Sequence, residues 1–253
     1  MFSQAIVKQP SESLINGITE ANLGLPDIQL AREQHKQYIK ALELCGLSVT
    51  VLSADETYPD GCFVEDPAII TPAGAIITRP GAASRTGECE AISQALKEVP
   101  LQTTDIHAPG TLDGGDVMMV DSHYYIGLSE RTNPAGANQL IQILESWGLS
   151  GSTIQMKDML HLKTGVSYLE NNTVLVCGEF LNEPAFQSFH RLAVAEEEAY
   201  AANCIWVNDR VIMPAGYPRT QAMIESAGYQ VLSVDVSEFR KLDGGLSCLS
   251  LRF

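Results

Sequence analysis

The chain has 253 residues, 45% of them hydrophobic, and 31 acidic against 16 basic residues give a net charge of −15. A chain of this length can bury a substantial core, but no apolar run approaches the roughly 18 residues that a membrane-spanning helix needs. The acidic balance disfavours nucleic acid and anionic membranes as partners and favours cationic small molecules. The opening residues, MFSQAIVKQP, lack the pattern of a signal peptide, so a cytoplasmic protein is expected.

The cysteines are the first residues to consider as nucleophiles or metal ligands. Six of them are scattered between Cys45 and Cys248 without any C-x-x-C pair. With no export signal, reduced thiols are favoured over a disulfide framework. Structural zinc sites need clustered cysteines and histidines, and the five histidines do not supply that spacing. We therefore predict no metal.

Helices and strands are predicted to alternate along the chain. The first helix covers 28–45, between a capping Asp27 and a terminating Gly46, and a strand at 47–52 follows it. Further helices are predicted at 87–98, 134–147 and 217–227. Apolar runs predict strands or hairpins at 68–77, 117–127, 165–177, 205–213, 229–234 and 246–252. Cys248 falls near the start of the last predicted strand.

A faint repeat organises these elements. Polar clusters precede apolar strands at intervals of 42 to 48 residues, and they contain Glu65, Asp113, His161, Asn203 and Cys248. Five such units arranged radially would form a five-bladed α/β propeller with pseudo-five-fold symmetry, as one domain spanning 1–253. Coincidence within an ordinary α/β protein is an equal alternative on this pattern alone. A doubly wound Rossmann sheet is less favoured, because no G-x-G-x-x-G follows the first strand.

Radial closure would bring a reactive set of side chains to one axis. Each member has a more common structural role: aspartates beside glycines cap turns, and free cysteines fill cores. Together they form a thiol, an imidazole and carboxylates, the combination in which a base and its orienting acid activate a nucleophile. The set comprises Glu65, Asp66, Asp113, His161 and Cys248.

Several segments, in order, resemble one family. FVEDP, TLDGGD, HLKTG, AANCIWVN and DGGLSC are similar to the guanidine-modifying penteins, and most similar to the dimethylarginine dimethylaminohydrolases. The resemblance runs from SLINGIT to Cys248. It implies a five-bladed α/β propeller that needs no cofactor. It also implies hydrolysis of asymmetric dimethylarginine and monomethylarginine to citrulline and a methylamine, through a covalent thiouronium on the cysteine.

The resemblance also implies roles for individual residues. The catalytic residues would be Cys248 as nucleophile, His161 as general acid and base, and Asp113 as the carboxylate near the histidine. Asp66, with Glu65 beside it, would hold the guanidinium, and Asp60 the α-amino group. The substrate carboxylate would contact Arg85 and Arg131, while Ile18, within a mobile flap, and Leu242 would contribute mainly backbone groups.

The chemistry of a guanidinium explains this selection. Carboxylates paired with its N–H groups hold the cation in plane and place its poorly electrophilic carbon near the sulfur. Attack requires a thiolate, which a bound cation and an imidazolium both favour. The same histidine then protonates the leaving amine and later activates water.

Three rival functions remain at this point. Arginine deiminases commonly have H-x-D, whereas this chain has His161-Leu162-Lys163, which favours a methylated substrate. A non-catalytic propeller that binds a cationic amino acid would not need Cys248 and His161 together. An amidinotransferase is expected to be longer. We expect a methylated arginine as the small-molecule partner and, if the protein assembles with itself, a homodimer.

Overall fold

The computed structural model describes residues 1–253. Contacts divide the chain into two compact units. The terminal unit comprises Met1–Val64 and Asn203–Phe253, and the central unit comprises Glu65–Ala202. The single domain stays a prediction. None of the helices combines the length and apolar character that crossing a bilayer requires.

The structure contains fifteen strands and six α-helices, linked by short 3-10 turns. The strands are β1 Gln4–Lys8, β2 Ser48–Leu52, β3 Ala68–Thr71, β4 Gly74–Ile77, β5 Thr103–Asp105, β6 Val117–Val120, β7 His123–Leu128, β8 Ser150–Gln155, β9 Val166–Tyr168, β10 Thr173–Val176, β11 His190–Ala193, β12 Ile205–Val207, β13 Arg210–Pro214, β14 Gln230–Val234 and β15 Leu251–Arg252. The helices are α1 Ile28–Leu44, α2 Glu88–Leu96, α3 Pro134–Ser146, α4 Leu162–Gly165, α5 Pro218–Ser226 and α6 Ser237–Arg240.

Five three-stranded sheets share one topology. The terminal unit contains β15-β1-β2 and β12-β13-β14, and the central unit contains β3-β4-β5, β6-β7-β8 and β9-β10-β11. Each middle strand pairs antiparallel on one side and parallel on the other. A parallel partner needs a longer crossover connection, which α1, α2, α3 or α5 supplies in four of the sheets. The predicted repeat is therefore five mixed sheets of one kind.

The four long helices follow their predicted bounds closely. Asp27 caps α1 by accepting hydrogen bonds from Gln29 N and Leu30 N, at 2.9 and 3.0 Å. Asn133 caps α3 in the same way through Gly136 N, at 2.8 Å, and Pro134 occupies the first helical position. Gly46 adopts a φ of +88° after α1, a conformation that favours glycine and ends the helix.

The predicted strand at 246–252 is wrong over most of its length. Ser247–Leu249 forms a single 3-10 turn, and the strand is only Leu251–Arg252. Side chains from elsewhere in the terminal unit bind the polar groups of this segment, which therefore cannot join a ladder. Four strands were not predicted: β1, β5, β8 and β11. Two of them, TTD and SGSTIQ, are polar and lack the apolar runs that indicate strands.

Two apolar clusters form the core of the central unit. One packs α3 against the sheets that contain β4 and β7. The other includes Leu162, which is fully buried beside Val166 and Phe180. Because Leu162 directly follows His161, this packing fixes the backbone at the histidine.

Candidate active site

His161 lies in the central unit immediately before α4. Its backbone is extended, and only 6% of the residue is exposed. Nε2 lies 3.1 Å from Oδ2 of Asp113, which is fully buried. The other oxygen of Asp113 accepts a hydrogen bond from Gly81 N at 2.8 Å. Both carboxylate oxygens are thus engaged, and the pair holds the imidazole in one orientation.

Asp66 and the imidazole of His161 both lie against Gly115. The Asp66 Oδ1 atom accepts a hydrogen bond from Gly115 N at 2.8 Å. A Cβ atom at Gly115 would lie 2.7 Å from His161 Nδ1 and 2.9 Å from Asp66 Oδ1. Only a glycine fits at this position. The DGGD motif therefore supplies a close approach, which sequence reasoning did not assign to Gly115.

The charges of the central unit keep His161 protonated. Burial by itself would lower the pKa of His161, but the negative charges of Asp66 and Asp116 and the bond to Asp113 raise it to about 9. Burial would likewise raise the pKa of Asp66, but His161 and Arg85 lower it to about 2. At neutral pH the site thus contains an imidazolium among carboxylates, and an imidazolium can act as a general acid.

The two predicted carboxylate-binding arginines differ in their surroundings. Arg85 is buried, forms an ion pair with Asp66 and donates to both oxygens of Glu88, at 3.2 and 3.1 Å from Nε. The guanidinium of Arg131 forms no hydrogen bond or ion pair within the protein, although its backbone is fixed by Ser129. Arg131 therefore has a side chain available for an anion, whereas Arg85 has a structural role that the sequence did not indicate.

Glu65 also has a cationic partner inside the protein. The Nζ atom of Lys163 lies 2.6 Å from Glu65 Oε1. Both side chains are largely buried, so this pair is less screened by solvent than a surface ion pair. The structure thus gives Lys163 a defined contact, which the sequence had left open.

Cys248 lies in the terminal unit, in the 3-10 turn Ser247–Leu249, and 8% of it is exposed. Asn203 holds this turn: its Oδ1 accepts from Ser247 N at 2.9 Å, and its Nδ2 donates to Ser247 Oγ at 3.0 Å. Tyr38 donates to the carbonyl of Leu246 and lies 2.6 Å from Ser250 Oγ. Asn203 was predicted to lie in a polar cluster, but without this role.

The remaining predicted binding residues lie together in the terminal unit. Asp60 accepts from Ile18 N at 3.1 Å. A Cβ at Gly17 would lie 2.9 Å from Asp60 Oδ1 and 3.0 Å from a methyl carbon of Leu242. The predicted flap is attached through Thr19, which donates to the carbonyl of Lys241 at 2.8 Å. Ile18, Asp60 and Leu242 are therefore near neighbours, and their shared role in binding substrate stays a prediction.

Three ligand-type atoms, from Asp66, Asp113 and His161, lie within 4.8 Å of one another. Coordination of a metal would require His161 to lose its proton and Asp66 to share oxygens that already bind Arg85 and Gly115 N. The arrangement fits a network balanced by protein cations better than a metal centre.

Solved structures define the class of fold. The chain superposes on a crystal structure of the Pseudomonas aeruginosa enzyme DDAH, a mutant complexed with citrulline, with a TM-score of 0.98, 54% identity and complete coverage of both chains. The N-terminal domain of ArgZ, a cyanobacterial arginine dihydrolase, is 19% identical with a TM-score of 0.89 over 98% of this chain and 97% of that one, which supports the fold alone. The fold is an α/β propeller with pseudo-five-fold symmetry, and the predicted fold class is confirmed.

Sequence comparison then identifies the family. The model of "N,N dimethylarginine dimethylhydrolase, eukaryotic" matches residues 24–250. The N(G),N(G)-dimethylarginine dimethylaminohydrolase of Pseudomonas aeruginosa is 54% identical over the whole of both chains. That of Streptomyces coelicolor is 34% identical over 98% of this chain and 96% of its own. The chain belongs to the dimethylarginine dimethylaminohydrolase family.

Proposed function

We propose that this protein hydrolyses asymmetric dimethylarginine and monomethylarginine to citrulline and a methylamine. Its Pseudomonas aeruginosa relative is named for the dimethylated substrate and has been crystallised with citrulline. A histidine-to-glycine mutant of a dimethylarginine dimethylaminohydrolase, 54% identical to this chain, has been crystallised as an adduct with S-methyl-L-thiocitrulline. The geometric observation that carries the proposal is the buried His161–Asp113 pair, whose imidazole holds a proton at neutral pH. Such a group can protonate a departing amine.

In the first half of the reaction, the Cys248 thiolate attacks the guanidinium carbon and a C–S bond forms. An electron pair moves onto a guanidinium nitrogen and cancels its positive charge, so no oxyanion hole is needed. His161 transfers its proton to the methylated nitrogen, the C–N bond breaks, and dimethylamine or methylamine leaves. A cationic thiouronium remains on Cys248. The proposal therefore requires one bound guanidinium to be reached by both side chains.

In the second half, neutral His161 takes a proton from water as the water oxygen attacks the thiouronium carbon. The C–S bond then breaks with its electron pair going to sulfur, the hydroxyl proton is lost to solvent as the urea carbonyl of citrulline forms, and the thiolate is restored. Asp113 stabilises the imidazolium whenever it forms. One histidine serves as acid and then as base, which matches a pKa raised by carboxylates rather than lowered by burial.

Substrate binding is assigned as follows. Asp66 and Glu65 face the guanidinium, Asp60 and the backbones of Ile18 and Leu242 bind the α-amino end, and Arg131 binds the carboxylate. The unpaired guanidinium of Arg131 supports the last assignment. Arg85 enters chiefly through Asp66, whose carboxylate it holds, and its contact with substrate stays a prediction. Cytoplasmic location and homodimer assembly also stay predictions.

The decisive experiment measures citrulline formed from asymmetric dimethylarginine, monomethylarginine and arginine. We expect higher kcat/KM for the methylated substrates. Cys248→Ser should lose roughly a thousandfold in kcat, because a hydroxyl is a far weaker nucleophile than a thiolate. Cys89→Ser, which changes a thiol on α2, should retain activity.

Mass spectrometry of acid-quenched turnover should place the adduct on the C-terminal peptide. Full activity of Cys248→Ser would remove the cysteine from the mechanism. A preference for arginine would assign the chain to deimination instead.

A further inference from the structure

Asp116 is a buried carboxylate that contacts neither the substrate nor the reacting atoms in the proposed mechanism. It ends the 3-10 turn Gly114–Asp116 and is fully buried. Its Oδ1 accepts a hydrogen bond from Leu162 N at 3.0 Å, and its Oδ2 accepts one from Ser129 Oγ at 2.6 Å. Leu162 directly follows His161. One carboxylate thus contacts two separate parts of the central unit.

The second contact leads to Arg131. The Ser129 Oγ atom accepts hydrogen bonds from Arg131 N at 3.0 Å and from Thr132 N at 3.1 Å. Ser129 N in turn donates to the carbonyl of Thr132 at 3.1 Å. Because the serine hydroxyl gives its hydrogen to Asp116, the carboxylate fixes the hydroxyl around which the Arg131 loop closes.

These contacts are not those of a turn-capping aspartate. A cap binds backbone groups within a few residues, whereas the partners of Asp116 lie 13 and 46 positions away. The fit is also tight: a Cβ at Gly127 would lie 3.2 Å from Asp116 Oδ1 and 3.0 Å from Leu162 Cβ. A buried charge with such partners is costly to disturb, since the desolvated oxygens would lose their donors.

We propose that Asp116 is a positioning residue that couples the orientation of His161 to that of Arg131. Through Leu162 N it fixes the backbone next to the catalytic imidazole, and through Ser129 it fixes the loop that presents the carboxylate-binding guanidinium. His161, the proton donor, and Arg131, the substrate-binding arginine, are thereby both positioned by the carboxylate of Asp116. The functional meaning of this coupling rests on the proposed hydrolysis.

The test compares Asp116→Asn with Asp121→Asn, which changes an exposed carboxylate in the β6–β7 turn of the same unit. In Asp116→Asn the amide directs N–H groups at Ser129 Oγ, which already accepts two others. We expect KM for asymmetric dimethylarginine to rise about tenfold. The midpoint of the His161 titration, followed by NMR of the ¹⁵N-labelled ring, should fall by about one pH unit as a negative charge is lost. Asp121→Asn should change neither.

Substitutions at Ser129 separate the two contacts. Ser129→Ala removes the acceptor for Arg131 N but leaves the Leu162 contact, so KM should rise about threefold or more. The His161 titration should stay at its wild-type midpoint. Ser129→Thr keeps the hydroxyl and should restore KM. If Asp116→Asn fails to fold, Ser129→Ala still tests the connection to Arg131.

The coupling is overturned if folded Asp116→Asn keeps both the wild-type KM and the wild-type His161 titration. It is also overturned if Ser129→Ala leaves KM unchanged. A failure of the proposed function would look different, because wild-type protein would then form no citrulline from methylated arginine. The His161 titration of Asp116→Asn would still report on the coupling in that case, since it needs no substrate.

Discussion

The two units hold their reactive side chains by different means. In the central unit, His161 is held by carboxylates, with Asp66 and Asp113 beside it and Arg85 balancing their charge. In the terminal unit, the turn that carries Cys248 is held by the amide of Asn203 and the hydroxyl of Tyr38. Arg252 adds hydrogen bonds to the carbonyl and hydroxyl of Ser250, at 3.2 and 2.7 Å.

This difference separates geometry from protonation. Amide, phenol and guanidinium groups keep their charge near neutral pH, so they fix the thiol turn without making its position depend on pH. Carboxylates around an imidazole do both: they orient the ring and set its pKa. We therefore expect the pH dependence of catalysis to be set by ionisable residues of the central unit. Substitutions that loosen the turn Ser247–Leu249 should lower the rate at every pH.

Gly115→Ala should have the largest effect. The new Cβ would overlap His161 and Asp66, and a shift of about 1 Å in a catalytic group costs roughly a hundredfold in rate. We expect kcat to fall by that factor or more, with a changed His161 titration in NMR spectra. Gly151→Ala, whose Cβ would meet only flexible side chains at 3.1 Å or beyond, should remain active. Wild-type kcat in Gly115→Ala would show that the close approach has no importance.

Asn203→Ala should lower kcat about tenfold by releasing the Ser247 backbone. The basic limb of the kcat/KM profile, which reports the free enzyme, should stay near pH 9, where His161 loses its proton. The matched control is Asn208→Ala, because Asn208 also binds backbone groups, at Phe2 and Cys45. Both variants should lose stability in thermal melts, but only Asn203→Ala should lose activity. A displaced basic limb in Asn203→Ala would contradict the division of roles.

The sequence predicted the parts of this comparison that depend on local signals. Capping residues and apolar periodicity located the four long helices, and a resemblance in ordered motifs selected Cys248 and His161. The supporting contacts were not predictable, because they join distant residues. Asn203 and Ser247 are 44 positions apart, and Tyr38 and Leu246 are 208 apart. The pairing of Arg85 with Asp66 also depends on tertiary structure, which no spacing in the chain reveals.

Lys163→Met tests whether Lys163 contributes to the preference for methylated substrates over arginine. Removal of the ammonium group takes away the donor that lies 2.6 Å from Glu65 Oε1. The Glu65 carboxylate is then expected to accept hydrogen bonds from N–H groups of the substrate. Arginine offers more of these than a dimethylated guanidinium. The preference for the methylated substrate in kcat/KM should narrow by about tenfold or less. Lys157→Met, at an exposed position, is the control. An unchanged preference would exclude Lys163 as a determinant.

His35 should have the smallest effect on activity but a measurable effect on stability. It is buried in α1 of the terminal unit, and its Nε2 has no hydrogen-bond partner. Burial lowers the pKa of His35 to about 4, whereas an unfolded histidine titrates near 6.5. The unfolded state therefore binds the proton first, and stability is lost as pH falls from about 6.5 to about 4, by up to about 3 kcal/mol.

His35→Leu removes this titration, so the acid unfolding midpoint should move to lower pH while kcat at neutral pH stays constant. Exposed His190→Gln should leave the midpoint in place. An identical acid transition in His35→Leu and wild type would mean that carboxylates alone govern acid unfolding.

The pairing of β1 with β15 has a consequence for the order of events during synthesis. Ala5 lies opposite Arg252 and Ile6 opposite Leu251, so the sheet that follows the cysteine turn joins opposite ends of the chain. Strand β1 leaves the ribosome hundreds of residues before β15, and such long-range strand pairings form slowly. The central unit, which is continuous in sequence, can fold while the rest emerges. A nascent chain should thus form the hydrogen bonds around His161 early and the turn that carries Cys248, the proposed nucleophile, last, so that products truncated before this turn are inactive.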